Sequence, residues 1–415
     1  MQDNTQTSNA SALGTQGANP LVSQAGGANQ VRVRAYNERL VLSLVRLHGS
    51  LSKAEIARLS GLSAQTASVI MRALEKDDML LRGEPVRGRV GQPSIPMQLN
   101  PDAVYSFGVK IGRRSADLVL MDFIGRIRLQ LHETFPYPEP GRIMDFIVGG
   151  LEKLESQLTA DQRGRIAGIG IAAPFELWNW AREVGAPDGV MDVWKSFDLQ
   201  QEVAARIPYP VFLQNDATSA CGAELVFGRG SSYPDFVYFF VGSFIGGGIV
   251  LNSAIFYGRT GTAGAVGPLP VRGRHGEMRQ LLEIASIFVL ERMLKDRGID
   301  PQPLWHSADE WIDFGETLDL WIEESARALA QAIVAAASII DFSAAIIDGG
   351  FPDWVRERLV RATIVEAEKL DLQGVVMPDI VEGIVGNQAR AIGGASLPIF
   401  ARYLTDQSVL FKDVV

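Results

Sequence analysis

Gln65, Thr66 and Ser68, with Arg72 one turn further on, are the side chains best placed for chemistry with a second molecule. Amides and hydroxyls exchange hydrogen bonds with base edges, and a guanidinium reaches guanine or a phosphate. Ser63, just ahead of them, is a capping residue that also lies near any phosphate they would meet. A second group, Arg87 and Arg89, sits in the Gly/Pro-punctuated stretch GEPVRGRVGQP. Arginines at such a tip suit phosphates or a narrow minor groove. Both groups need a scaffold that turns them towards one duplex.

The flanking residues predict that scaffold. Ser52 and Glu55 form a capping-box pair, so a helix should start at Lys53, with Ile56 and Leu59 on its apolar face and Ala57 allowing close contact. Gly61 permits a sharp turn. Ser63 then caps a second helix whose Ala67, Ile70 and Leu74 point inward, which leaves Gln65, Thr66, Ser68 and Arg72 outward. Short strands are expected at Met79–Arg82 and Ser94–Leu99, with the arginine tip between them. Leu40, Val41, Leu44 and Val45 give the apolar stripe of a preceding helix. Residues 52–76 alone would also suit an ordinary helical hairpin. With the first helix and the hairpin added, residues 31–100 read as a winged helix-turn-helix that binds double-stranded DNA.

Charge is distributed in the same sense. Residues 31–100 hold 11 Lys/Arg against 6 Asp/Glu, whereas the whole chain carries −9. A basic module on an acidic body suits a protein that meets nucleic acid at one end. At 415 residues and 47% hydrophobic content, two or three domains with full cores are expected. The single cysteine, Cys221, excludes an intramolecular disulfide and a multi-cysteine metal cage, and points to a reducing, cytoplasmic setting. Of residues 1–30, 24 are Ser, Thr, Asn, Gln, Gly or Ala, which predicts a disordered tail with no signal peptide. Residues 406–415 are expected to form a short C-terminal tail. The apolar stretch ALAQAIVAAASIIDF is interrupted by Gln331 and Asp341 and predicts a buried helix rather than a membrane span.

From Tyr105 the texture changes to strands alternating with helices, an α/β pattern. YSFGVKIGRRSADLVLMDFIGRIRLQLHETF reads as three consecutive strands; IAGIGIAAP and VFLQND each read as one more. FVYFFVGSFIGGGIVLNSAIFYG is strand, Gly-rich turn, strand, and AAIIDGGF is a strand running into a Gly turn. Such turns can bring backbone N–H groups to phosphate, although Gly in turns ordinarily serves geometry.

Six collinear stretches, SGLSAQTASVIMRALEKDDMLLRG, GRVGQPS, GIGIAAP, VFLQNDATSACGAELVFGRG, VGSFIGGGIVLNSAIFYGRTGTAGAVG and AAIIDGGF, carry a resemblance over about residues 31–405. The chain resembles the ROK family (repressors, open reading frames, sugar kinases), and specifically its winged-helix transcriptional regulators. The resemblance implies that residues 101–405 adopt a two-lobed actin/hexokinase-like, ribonuclease H-like fold with a sugar cleft between the lobes. It also places Asp216 at the family's catalytic base position, and Asn215 and Glu283 at sugar contacts. On residues alone, Asn215-Asp216 could equally cap the next helix.

The departures from the family pattern matter as much. Lys110 replaces the Asp of the first phosphate turn, and Arg113 and Arg114 replace its small residues. Ser243 and Phe244 stand in the second turn where Thr and Gly are expected, and the Phe244 ring would crowd a nucleotide. The E-[IV]-G-H stretch is replaced by AVGP, with Ala265 and Pro268. The cysteine-rich zinc run is replaced by VRGRHGEMRQLLE, in which His275 is the lone soft ligand. No metal, cofactor or catalytic residue is therefore expected. Asp348 and Cys221 read as structural, and Trp178, Trp180 and Trp194 as lobe packing or, less simply, as sugar-stacking rings. The combined expectation is a sugar-responsive repressor, a homodimer or homotetramer, with an inactive kinase-like domain. A functional sugar kinase and a ligand-independent DNA-binding regulator remain the alternatives.

Overall fold

The computed structural model describes residues 21–85, 95–181, 185–306 and 309–405. Helix α1 (Leu21–His48) packs Leu40, Val41, Leu44 and Val45 into a core with Ile56, Ala67, Ile70, Met71 and Leu74. Helix α2 (Lys53–Ser60) begins with the expected capping box: Ser52 Oγ accepts from Glu55 N at 3.3 Å, and Glu55 Oε2 accepts from Ser52 N at 2.8 Å. Gly61 ends it at φ 70°, a left-handed position that a side chain would strain. Helix α3 (Ala64–Lys76) then starts from the Ser63 cap.

Strand β1 (Ser50–Leu51) precedes α2, and β2 (Leu80–Arg82) and β3 (Met97–Leu99) follow α3, forming an antiparallel sheet in the order β1-β3-β2. Two residues of β1 carry no readable alternation, so only the pairing of Ser50 with Gln98 and of Leu51 with Met97 reveals it. The hairpin strands are shorter than expected, and Ser94, Arg87 and Arg89 lie outside the described residues. One expectation is corrected. The tail predicted over residues 1–30 gives way to helix at Leu21, where α1, anchored by its buried 40–45 stripe, propagates one hydrogen bond at a time towards the N-terminus in spite of Gly26 and Gly27. Residues 1–20 and 406–415 lie outside the described residues.

The body repeats one topology twice. In the first lobe β4 (Tyr105–Ile111), β5 (Ser115–Asp122) and β6 (Ile127–Thr134) form an antiparallel meander. Helices α4 (Pro140–Glu155) and α5 (Ala160–Gly164) lead to β7 (Ile166–Ala173), and α6 (Leu199–Ala204) leads to β8 (Val211–Asn215). Both β7 and β8 add in parallel, giving the order β6-β5-β4-β7-β8. Helix α7 (Asp216–Phe227) crosses into the second lobe. There β9 (Phe236–Val241), β10 (Ile245–Leu251) and β11 (Ala254–Ile255) form the meander. The hairpin β12 (Pro270–Arg272)–β13 (Met278–Gln280) and helices α8 (Leu282–Ala285), α9 (Ile287–Asp296), α10 (Pro303–His306) and α11 (Gly315–Ala337) follow. Strands β14 (Ala344–Gly349) and β15 (Asp379–Glu382), separated by α12 (Asp353–Ala367), complete the order β11-β10-β9-β14-β15.

Helix α13 (Ala389–Tyr403) returns to the first lobe and packs on β4, β7 and α7. Its approach is close. A Cβ on Gly108 would stand 2.3 Å from Ala391 O, and one on Gly170 1.9 Å from Gly394 O, so only glycine fits. Helix α11 buries Ala328, Leu329, Ala332 and Ile333, as its sequence implies. Among the described residues no helix is long and apolar enough to cross a membrane.

Candidate functional site

Two places gather the side chains that the sequence singles out. The first is the outer face of α3. Gln65, Val69, Arg72 and Lys76 recur at helical spacing and are exposed, while Ala67, Ile70, Met71 and Leu74 are buried beneath them. Val69 carries no polar group and so escapes a search for hydrogen-bonding residues, yet it is 52% exposed. An apolar group there suits the thymine methyl. Ser63 and Thr66 are engaged locally: Ser63 Oγ accepts from Thr66 N at 3.1 Å and bonds the Thr66 hydroxyl at 2.8 Å. Ser68 offers its carbonyl to Arg72 Nε at 3.2 Å, which lays the arginine along the helix.

The second place is the cleft between the lobes. A cavity of about 370 Å³ is lined by Phe175 and Glu176 after β7, by Asn215 and Asp216 at the β8–α7 junction, and by Gly246, Gly247 and Thr262 of the second lobe. That volume lies at the small end of ligand sites, which run from about 300 to 1,000 Å³. Asn215 is the N-cap of α7, its Oδ1 accepting from Ala217 N and Thr218 N at 3.0 and 3.2 Å. Of its side chain only the amide nitrogen is left for a ligand. Asp216 is 3.4 Å from Arg390 Nη1 through one carboxylate oxygen, so the other can still accept a hydroxyl. Arg390 itself sits 4.8 Å from the Phe240 ring centroid.

Glu283 is not brought to this cavity. It lies beyond the wall formed by Leu282, accepts from Gln280 N at 3.0 Å, and is 4.0 Å from Arg279 Nε. It sits on the short α8, and there the residue before it, Leu282, turns inward instead. Ala265 and Pro268 give the same wall an apolar surface. Arg390, by contrast, was invisible in the sequence, because its partner is 174 residues away and no local spacing announces the pair.

Beside the cleft the two hairpin turns face each other across a smaller cavity of about 240 Å³, lined by Lys110, Arg113, Arg114, Asp117, Ser243 and Arg390 among others. Lys110 is buried, donates to Ser115 Oγ at 2.6 Å and lies 3.2 Å from Asp117. Burial, with the Arg390 charge nearby, lowers its pKa to about 8 in spite of Asp117. Burial alone would raise the Asp117 carboxyl, but the Lys110 charge and a 2.6 Å bond from His132 hold it below the usual carboxylate range. The Arg113 guanidinium stacks over the Phe244 ring at 4.2 Å, and Arg114 reaches Glu291 at 3.6 Å. First-lobe cations thus occupy the space between the turns, and three of them already face protein carboxylates.

The remaining candidates are structural. Asp348 is buried and accepts from Tyr238 Oη, Gly349 N and Gly386 N. Burial raises its pKa. Cys221 is fully buried against Gly248, and its thiol is pushed up by burial. Trp194 is buried, donating to Pro138 O at 2.8 Å beside Phe197, and Trp178 packs on the same first-lobe core, which fits lobe packing. The Trp180 side chain is not among those described. His275 is exposed in the β12–β13 turn, where its backbone N–H donates to Glu277 Oε2 at 3.0 Å, and among the described residues no group of three potential metal ligands forms around it.

The winged helix-turn-helix DNA-binding model matches residues 34–80, and the ROK family model matches residues 106–399. The Bacillus subtilis xylose repressor is 25% identical over 244 residues, 59% of this chain and 62% of that protein, so the match spans less than two thirds of the relative. A crystal structure of a ROK family transcriptional regulator, homologue of the E. coli MLC protein, superposes with TM-score 0.63 at 19% identity, over 91% of this chain and 98% of that one. A ROK glucokinase from Streptomyces griseus, in complex with glucose and AMPPNP, superposes with TM-score 0.57 at 22% identity, over 71% of this chain and 98% of that one. With residues 106–399 matched and a winged helix-turn-helix in front of them, the chain belongs to the ROK family.

Proposed function

We propose that the protein is a DNA-binding repressor that responds to a sugar held in the interlobe cleft and does not phosphorylate it. The observation that carries this reading is one pairing. A winged helix presents Gln65, Val69 and Arg72 outward, while the body keeps Asp216 in a cleft whose two phosphate turns are filled by Lys110, Arg113 and Phe244. A nucleotide needs open turns with backbone N–H groups and a metal-holding carboxylate. Here an ammonium, a guanidinium and a ring stand in those places. A hydroxyl-rich ring needs only acceptors and donors on a shaped wall, which Asp216, Glu176, Asn215 and Thr262 supply. The relative named as a xylose repressor supports both repression and a sugar effector. The protein is proposed to act as a homodimer, since winged-helix readers pair across symmetric operators.

DNA titrations on operator and scrambled duplexes test the first half. Gln65→Ala should cost about 1–3 kcal/mol on the specific site and relax discrimination at one base pair. A wild-type curve for this variant would sink the assignment of α3 as the reading helix. Calorimetry with D-xylose, D-glucose and N-acetylglucosamine, beside an ADP-release assay with ATP, tests the second half. One sugar should bind at least about tenfold more weakly to Asp216→Asn, as expected when a charged hydrogen bond is lost. ADP release that depends on sugar and on Asp216 would make the protein a kinase.

A further inference from the structure

Two helices begin in the cleft and end under the winged helix. Helix α7 starts at Asp216 and α13 one residue before Arg390, and these two side chains form the ion pair at the cleft wall. At its other end α7 finishes at Phe227, whose ring lies 4.5 Å beneath the Arg46 guanidinium of α1. Arg46 also donates to Phe123 O at 3.0 Å. Helix α13 ends two residues before Thr405, whose N and Oγ1 both donate to Ser43 Oγ of α1, at 3.0 and 3.1 Å. Tyr403 packs edge-on against Phe123. At about 1.5 Å per residue the helices span roughly 18 and 22 Å.

Between their ends the two helices touch backbone to backbone. A Cβ on Gly393 would stand 1.9 Å from Ser219 O, so no side chain cushions the contact. Around that contact the pair moves as one body or slides in register, and Pro398, which removes one backbone bond nearer the end of α13, is the point where the shaft can flex. Both terminal arginines are held imperfectly. Arg390 Nε and Arg46 Nε are buried, and among the described residues neither has a hydrogen-bond partner. An unmet buried donor favours any arrangement that supplies an acceptor. A hydroxyl bonded to the other Asp216 oxygen draws on the carboxylate charge that holds Arg390, and so weakens that ion pair.

We propose that α7 and α13 form a shaft through which the Asp216–Arg390 pair controls the docking of α1 on the body, and with it the placing of the reading helix. This rests on the repressor reading only for its use; the mechanical link stands on the contacts themselves. Burial of the Arg46 guanidinium, which lowers its pKa to about 10, marks the docking end as a tight joint. Ligand binding that shifts Arg390 therefore shifts Thr405 and Ser43, and by reciprocity a loosened α1 must alter the cleft.

Hydrogen–deuterium exchange on the full chain tests the link without DNA or sugar. Asp216→Asn, and separately Arg390→Gln, should speed exchange at least about threefold in residues 40–48 and 403–405. The control Glu283→Gln, which removes a carboxylate outside the cavity, should leave those segments unchanged. In the reverse direction, Arg46→Met should speed exchange at residues 216–219 and 390–393. Changes confined to the mutated end in all three variants would overturn the shaft, and so would equal changes in the control. If a variant melts globally, exchange rises everywhere, and the remaining two decide. A shaft confirmed by exchange beside failed DNA titrations would remove the repressor reading and keep the link.

Discussion

The two lobes share a topology but have closed their equivalent turns by different means. In the first lobe the β4–β5 turn is filled with charge: Lys110 buried against Asp117, and Arg113 and Arg114 reaching across. In the second lobe the β9–β10 turn is filled with bulk at Phe244 alone, and the strand behind it keeps three glycines. Those glycines are held by neighbours within the protein. A Cβ on Gly247 would meet Tyr238 O at 2.2 Å, and one on Gly248 would meet Cys221. A Gly-rich turn that looks made for phosphate can therefore be required by packing alone. The first turn carries charge around its own crowded glycine, since a Cβ on Gly112 would stand 3.1 Å from Ser115 O.

The contrast is sharpened most by Lys110→Met. Removing the ammonium leaves Asp117 with His132 and a 3.5 Å contact from Gln130 Nε2, and a loss of about 2–3 kcal/mol is expected in denaturant titrations, near the lower values for one-sided removal of a buried pair. The pH dependence gives a second reading. The folded pKa of Lys110, about 8, lies below its ordinary 10.5, so the folded state binds fewer protons between those values. Stability contributed by this group therefore rises as pH climbs from about 8 to 10.5. Wild type should show that rise relative to Lys110→Met in thermal melts across the window. Parallel curves would mean that Lys110 is neither buried nor perturbed.

A smaller effect is expected at the contact between the turns. A double-mutant cycle of Arg113→Ala and Phe244→Ala should return a coupling of about 0.5–2 kcal/mol. Additive single effects would break the view that charge from one lobe clasps bulk from the other. Smallest of all, Glu283→Gln should change stability by less than about 0.5 kcal/mol. It should also leave sugar calorimetry as in wild type. A tenfold loss would return Glu283 to the cleft wall and make the second lobe a donor of charge as well as bulk.

Local signals made the winged helix legible. Ser52 and Glu55, Gly61 and Ser63 act within three or four residues of themselves, and each does in the structure what its type implies. The body could be read as strands and helices for the same reason. The cleft could not be read residue by residue. Asn215 carried two readings, and its cap bonds are what the fold displays. Glu283 followed a motif position, but the turn of α8 points Leu282 inward in its place. Arg390 acquires its meaning only when α13 returns to meet Asp216 from 174 residues away, which no window of the sequence contains, whereas Asp117 faces Lys110 across a single hairpin and needed only the strand register to be found.

The position of α13 in the chain has a consequence for how the protein is made. Ser106 Oγ, in the first strand of the body, donates to Ala395 O across 289 residues, and β4 and β7 are covered only when that late helix arrives. During synthesis the first lobe must wait, with an apolar sheet face open, until nearly the whole body has emerged from the ribosome. Long-range closure of this kind folds slowly and exposes aggregation-prone surface in the interval. The winged helix, whose core is local, can fold long before the body that positions it is complete.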